Sequence, residues 1–172
     1  MIIKAIRQNK KEDTLYSCRH YCVEPFEQKW LQNLEIDLIR EKVEDIPVSF
    51  FEQLKENDFL FIDSSHIIRP QGDVLFEYLE LLPVLKKGVL VHIHDIFSPK
   101  DYPENWVFDH SFWNEQYLLD AFLTFNRDYT IIGALNFLRH NYRKQLASKC
   151  PIFESQNGRE PAALWMRREL NN

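Results

Sequence analysis

The sequence predicts an α/β fold organised around a mostly parallel sheet with helices on both faces. Three observations predict it. Short apolar runs alternate with amphipathic helical stretches along the chain. Residues 57–97, NDFLFIDSSHIIRPQGDVLFEYLELLPVLKKGVLVHIHDIF, read as a single strand–helix–strand unit. Its strands, Phe59-Leu60-Phe61-Ile62 and Val89-Leu90-Val91-His92-Ile93, are almost continuously apolar, as parallel strands covered on both sides are.

Taken in order, residues 1–9 carry Ile2, Ile3 and Ile6 between Lys4 and Arg7. That spacing suits a short amphipathic helix, and a strand through residues 1–6 fits as an alternative. Residues 19–23 read as a strand ended by Glu24-Pro25, residues 26–34 as a helix carrying Trp30, Leu31 and Leu34, and residues 36–39 as a second short strand. Residues 48–54 form a helix before the central unit. In that unit Asp73 is a candidate N-cap, and Leu75, Tyr78, Leu79 and Leu82 recur at helical spacing as one apolar stripe. Pro83 predicts a kink or an end near Leu82, and Gly88 closes the turn into the next strand. Residues 98–110 read as a loop long enough to act as a lid or substrate wall. A helix is expected over 112–125, with Trp113, Tyr117, Leu118, Ala121 and Phe122 on its apolar face. Then follow a strand over 129–135, a helix over 141–148, a loop over 151–161 and a last strand over 162–166.

The 172 residues, 45% hydrophobic and 14% aromatic, suffice for one packed domain over residues 1–172. The net charge of −5 gives no reason to expect nucleic acid as a partner. No apolar run approaches the ~18 residues of a membrane span, and Lys4, Arg7, Lys10 and Lys11 interrupt any leader-like segment. Cys18, Cys22 and Cys150 make an odd number, which points to a reduced, cytoplasmic protein. Cys18 and Cys22 have no second ligand pair at finger-like spacing, which disfavours a zinc site.

The strand ends carry the chemistry. Asp63 follows one strand of the central unit and His94-Asp95 ends the other. Open α/β sheets bind ligands beyond the carboxyl ends of their strands, so Asp63 and Asp95, with His66 and His94, form a candidate site for catalysis or a metal ion. His66, on a loop with an ordinary pKa near ~6.5, would suit a general base. His92 and His94 alternate with Ile93 and share a strand face, and His92 is expected to be structural, packed under a helix. Glu24, ending an earlier strand, is placed to accept hydrogen bonds from a ribose diol, and Glu44 follows the next strand, where an adenine would lie.

The segment FIDSSH…GDV…E…LP.L..GV.VH.HDIF, at residues 61–97, resembles the class I S-adenosylmethionine-dependent methyltransferases, and among them the small bacterial O-methyltransferase-like branch. WNEQYLL (113–119) is similar to the same branch, CVEPF (22–26) and LIREKVEDIP (38–47) resemble its second- and third-strand motifs, and LWMRR (164–168) resembles its closing antiparallel strand. The resemblance implies a Rossmann-like sheet, mostly parallel with an antiparallel last strand. It implies methyl transfer from S-adenosylmethionine to a small-molecule hydroxyl. Glu24 would hold the ribose, Val43 and Glu44 would flank the adenine, and Asp63 would lie near the methionine part. In catechol-type relatives, acids at the positions of Asp63 and Asp95 hold Mg2+, with an amide as third ligand where this chain has Ile96.

The chain departs from the family pattern at its start. None of its four glycines precedes Gly72, so the glycine-rich cofactor loop of the family has no counterpart, and the chain reads as N-terminally truncated. Two function classes follow: a methyltransferase with impaired cofactor binding, and a non-catalytic methyltransferase-like remnant acting through binding or oligomerisation. A different nucleotide-binding α/β protein is a third. Loss of the family's central first strand would leave the strands ending at Glu24 and Asp63 with unpaired edges. Direct closure of these strands, or filling by residues 1–6, is expected ahead of a homodimer by strand addition.

Overall fold

The computed structural model describes residues 2–26, 28–156 and 158–170; Met1 and Glu27, both predicted helical, lie outside the described residues. The chain divides into two compact units, Met1–Ile46 and Pro47–Asn172.

In the first unit, helix α1 spans Ile2–Glu12, which settles residues 2–6 as helix rather than strand. Lys10 and Lys11 stand in its last turn, the end a helix dipole makes negative. Strand β1 (Tyr21–Val23) pairs in parallel with β2 (Asp37–Ile39), with Cys22 opposite Leu38. Among the described residues of the link between them, helical structure is confined to a 3-10 turn, Lys29–Asn33, shorter than the predicted helix. Its Trp30 is exposed, so no buried apolar stripe holds a longer helix there. A second 3-10 turn, Val43–Asp45, follows β2.

The second unit runs α2 (Val48–Phe51), β3 (Phe59–Ile62), α3 (Asp73–Phe76), a π turn (Glu77–Leu81), α4 (Leu82–Val84) and β4 (Leu90–His94). It continues through α5 (Glu104–Phe108), α6 (Glu115–Leu123), β5 (Tyr129–Ala134), α7 (Leu135–Asn141), α8 (Arg143–Lys149), α9 (Ile152–Ser155) and β6 (Ala163–Arg168). The strand order is β3-β4-β6-β5. β3 and β4 are parallel, and β6 is antiparallel to both its neighbours. This is the predicted mixed sheet with an antiparallel last strand. The predicted loops over 98–110 and 151–161 contain the short helices α5 and α9. None of the described helices is long and apolar enough to cross a membrane.

Alternation along the strands separates two faces. Leu60 and Ile62 pair with Val91 and Ile93, which pair in turn with Met166 and Leu164. Except for half-buried Leu60 these are buried, as are Val74, Tyr78, Leu81, Leu82 and Leu85 of the crossover and Leu119 of α6. Tyr78 packs edge-on to Phe122 of α6, which touches Tyr129 of β5, and the Tyr129 hydroxyl donates to the Leu82 carbonyl. The other face carries Phe59, Phe61, His92 and Trp165, with Phe59 stacked on Trp165 and Phe61 on His92. His92 is therefore buried among rings rather than under a helix.

The crossover corrects the predicted stripe. Leu79 is 60% exposed, whereas Glu77 and Leu81 are buried. The π turn, with i→i+5 bonding, advances the register by a residue, and it ends just before Pro83, which lacks the N–H that an α ladder needs. Asp73 is the first helical residue and Gly72 the N-cap.

Among the described residues β1 pairs only with β2, and β3 takes the outer edge of its sheet. Neither direct closure nor filling by residues 2–6 occurs. Phe59 and Phe61 of β3 are exposed, not buried core as a strand covered on both faces would have them.

Candidate active site

Pairing of Ile62 with Ile93 brings the residues after β3 and β4 to one edge of the sheet. There Asp63, His66 and Asp95 each present a ligand atom within 4.8 Å of the others. His66 Nε2 lies 3.4 Å from Asp63 Oδ1 and 3.7 Å from Asp95 Oδ2. His94 completes the group, its Nδ1 3.0 Å from Asp95 Oδ1 and 3.8 Å from Asp63 Oδ1. All four residues predicted around this strand end are together.

Their surroundings differ. His94 and Asp63 are partly open, whereas His66 is 5% exposed. His66 Nδ1 bonds to Glu115 Oε2 at 2.7 Å, and the other oxygen of Glu115 accepts the Tyr78 hydroxyl at 2.9 Å. Burial disfavours the charged ring, but the hydrogen bonds to Asp63 and Glu115 and the charges of Glu115 and Asp95 outweigh it, raising His66 to about 9. The expected exposed base with an ordinary pKa is thus a buried, proton-holding ring. Asp63 is lowered, chiefly by its hydrogen bond with His66, against some desolvation.

The loop that carries Asp63 and His66 is held residue by residue. The Ser64 hydroxyl donates to buried Glu77, and the Ser65 N–H and hydroxyl both donate to Asp73. The His66 carbonyl accepts the N–H groups of Asn114 and Glu115 at the start of α6. Asn114 Oδ1 takes the Ile68 N–H, and the Trp113 ring packs 4.3 Å from that of His66. Gln116 does the same for the loop after β4, accepting the Phe97 N–H and donating to the Lys100 carbonyl. His66 and Asp95 both adopt positive φ, 59° and 54°, a region non-glycine residues enter at a cost and that clusters at functional sites.

The segment WNEQ therefore staples two site loops, which sequence reasoning missed. The predicted apolar face of α6 placed Tyr117 and Ala121 inward, yet both are exposed, and the buried positions are Glu115, Gln116 and Leu119. The signal available was the run Asn114-Glu115-Gln116 at the head of an otherwise apolar helix.

A profile of the methyltransferase domain matches residues 1–96 of this chain, more than half of it. The chain belongs to the methyltransferase domain family. No curated protein and no solved structure matches it. The matched stretch of this methyltransferase domain ends one residue past Asp95, so it takes in Asp63, His66, His94 and Asp95, while Glu115 lies beyond it.

The remaining predicted cofactor residues belong to the first unit. β1 and β2 run parallel, so Glu24 and the 3-10 turn holding Val43 and Glu44 follow the same strand edge. Glu24 Oε1 accepts the Phe26 N–H at 2.8 Å, which fixes the carboxylate over its own turn. Ile96, at the position of the amide ligand in catechol-type relatives, is 1% exposed and apolar and offers no donor. A cavity of about 750 Å³ in the second unit lies elsewhere, at the amino ends of the strands, among Glu52, Lys55, Glu56, Lys86 and Lys87.

Proposed function

We propose that this methyltransferase domain moves a methyl group from S-adenosylmethionine to a hydroxyl of a small, cytoplasmic molecule. The observation that carries the reading is the gathering of Asp63, His66, His94 and Asp95 beyond the carboxyl ends of β3 and β4, where α/β sheets take their ligands. By the family resemblance, Glu24 would hold the donor's ribose, Val43 and Glu44 would flank its adenine, and Asp63 would lie near its methionine part. The close backbone approach of a glycine-rich loop has no counterpart before Gly72, so the fit is partial.

The donor supplies an electrophilic methyl when bound. Asp63 and Asp95 would hold and orient the acceptor hydroxyl, together with a divalent cation such as Mg2+, whose charge favours the alkoxide. His94 is the better placed proton acceptor, because its side chain is 42% exposed while His66 has one nitrogen committed to Glu115 and the ring buried. Trp106, packed against both Phe97 and Trp113, would wall the acceptor side and exclude water.

Residues 1–172 are expected to bind S-adenosylmethionine more weakly than the low micromolar range, with Glu24→Ala weaker still, by calorimetry. With methyl-labelled donor above its dissociation constant, label should pass to catechols or similar polyhydroxylated acceptors. Asp63→Asn should lower the rate at least ~100-fold, the scale of losing one preorganised polar group. Absence of transfer to any hydroxyl acceptor, or transfer indifferent to Asp63→Asn, defeats the reading.

The open outer edge of β3, with exposed Phe59 and Phe61, favours one second reading: a non-catalytic module that dimerises by strand addition. Light scattering should then show a homodimer that Phe61→Lys converts to monomer.

A further inference from the structure

The acids at the strand ends have a third partner that the family pattern does not supply. Ile96 contributes no oxygen, yet an imidazole nitrogen stands between the two carboxylates. His66 Nε2 lies 3.4 Å from Asp63 and 3.7 Å from Asp95, close to the separation of neighbouring ligands about one small cation. The ring cannot easily turn away. Its Nδ1 is bonded to fully buried Glu115, the Trp113 ring lies 4.3 Å off, and its own carbonyl is held by two N–H groups of α6. Glu115 is fixed in turn by the Tyr78 hydroxyl.

We infer that His66 is a metal ligand, that Glu115 is the positioning residue that aims it, and that the site takes a first-row transition cation of the Fe2+, Co2+ or Zn2+ type in preference to Mg2+. The inference rests on the cation site of the reading above and deepens it. Mg2+ prefers all-oxygen, near-octahedral surroundings with several waters. Imidazole nitrogen suits Fe, Ni, Cu and Zn, and one imidazole with two carboxylates leaves positions open for water and an acceptor oxygen. A cation binding at Nε2 displaces the proton held there in the metal-free chain. A carboxylate on the far nitrogen of a ligating histidine fixes the tautomer and aims the ring, and its loss costs 10–100-fold in metal affinity. In the sequence the arrangement joins residues 49 positions apart, which explains why neither motif alone announces it.

The test uses the full chain, stripped of metal with a chelator and dialysed, and titrated with Co2+ and separately with Mg2+. One Co2+ per chain should bind at least ~10-fold more tightly than Mg2+. Proton NMR of the Co2+ form should show one strongly shifted, solvent-exchangeable resonance, the His66 Nδ1 proton shielded by Glu115. Glu115→Gln should weaken Co2+ binding by ~10–100-fold while Mg2+ binding changes little. The spectrum of the wild-type Co2+ form needs no variant, so the inference stays open to refutation even if His66→Ala fails to fold. Equal affinities for the two cations, absence of the shifted exchangeable proton, or unchanged Co2+ binding in a folded His66→Ala chain overturns it. Because binding is read without methyl donor, Co2+ held through nitrogen in a chain that transfers no methyl defeats only the reading of function. Methyl transfer without nitrogen ligation defeats only this inference.

Discussion

His66 and His92 are both buried, one among carboxylates and the other among aromatic rings, and they shift in opposite directions. His66 is raised to about 9 and His92 is lowered to about 4. Burial opposes charge at both sites. At His92 it acts with little opposition: neither ring nitrogen has a hydrogen-bond partner, Phe61 stacks on the ring and Trp165 meets it edge-on, and the neighbouring His94 lowers it further. At His66 the partners Glu115, Asp63 and Asp95 reverse the sign. The same side chain, at similar depth, is thus a cation in a polar cradle and a neutral packing ring 26 residues further on, and the difference lies entirely in what surrounds it.

Removing the cradle should have the largest effect. Glu115→Ala leaves a buried imidazolium and the Tyr78 hydroxyl without their partner, and should cost about 3–5 kcal/mol by urea denaturation. A loss under about 1 kcal/mol would show that the cradle is not what sets the charge of His66. The histidines should also divide the pH profile of the metal-free chain. His92 is neutral when folded, so stability it supports is present above about 6.5 and falls as pH drops toward about 4, where the unfolded chain alone gains the proton. His66 acts the other way: its contribution is complete below about 6.5 and is lost as pH rises toward about 9. Stability should therefore decline on both sides of neutrality, and NMR titration of the two ring protons assigns each limb. His92→Phe removes two unpartnered buried nitrogens from an aromatic wall and should be neutral or stabilising by about 1 kcal/mol, with the acid limb flattened. Lys87→Ala, in the open charged cavity, should stay within about 0.5 kcal/mol of the parent and serves as the baseline.

Much of this frame is legible in the residues. The run Phe59–Ile62 matches β3 end to end, and the acids closing two parallel strands do meet. These features follow from local pattern and from one rule of α/β topology. What escaped was set by distant partners. Glu115 and Gln116 look like the solvent side of a helix until the loops after β3 and β4 arrive to bond them. Leu79 looks like core until a wider turn rotates it outward. The separate pairing of β1 with β2 also escaped, because which strands pair is set by long-range packing that a local pattern does not carry.

The position of β6 has a consequence for timing. It follows every other strand in sequence, yet it lies between β4 and β5 and bonds to both. While the chain is being synthesised, β5 has no neighbour to join, and the edge of β4 stays open until residues 163–168 emerge. The pairings that close the sheet, Leu90 with Arg167 and His94 with Ala163, span 77 and 69 residues. Such long-range closure is slow, so the second unit completes its sheet in one late step, with the β4 edge in need of protection until then.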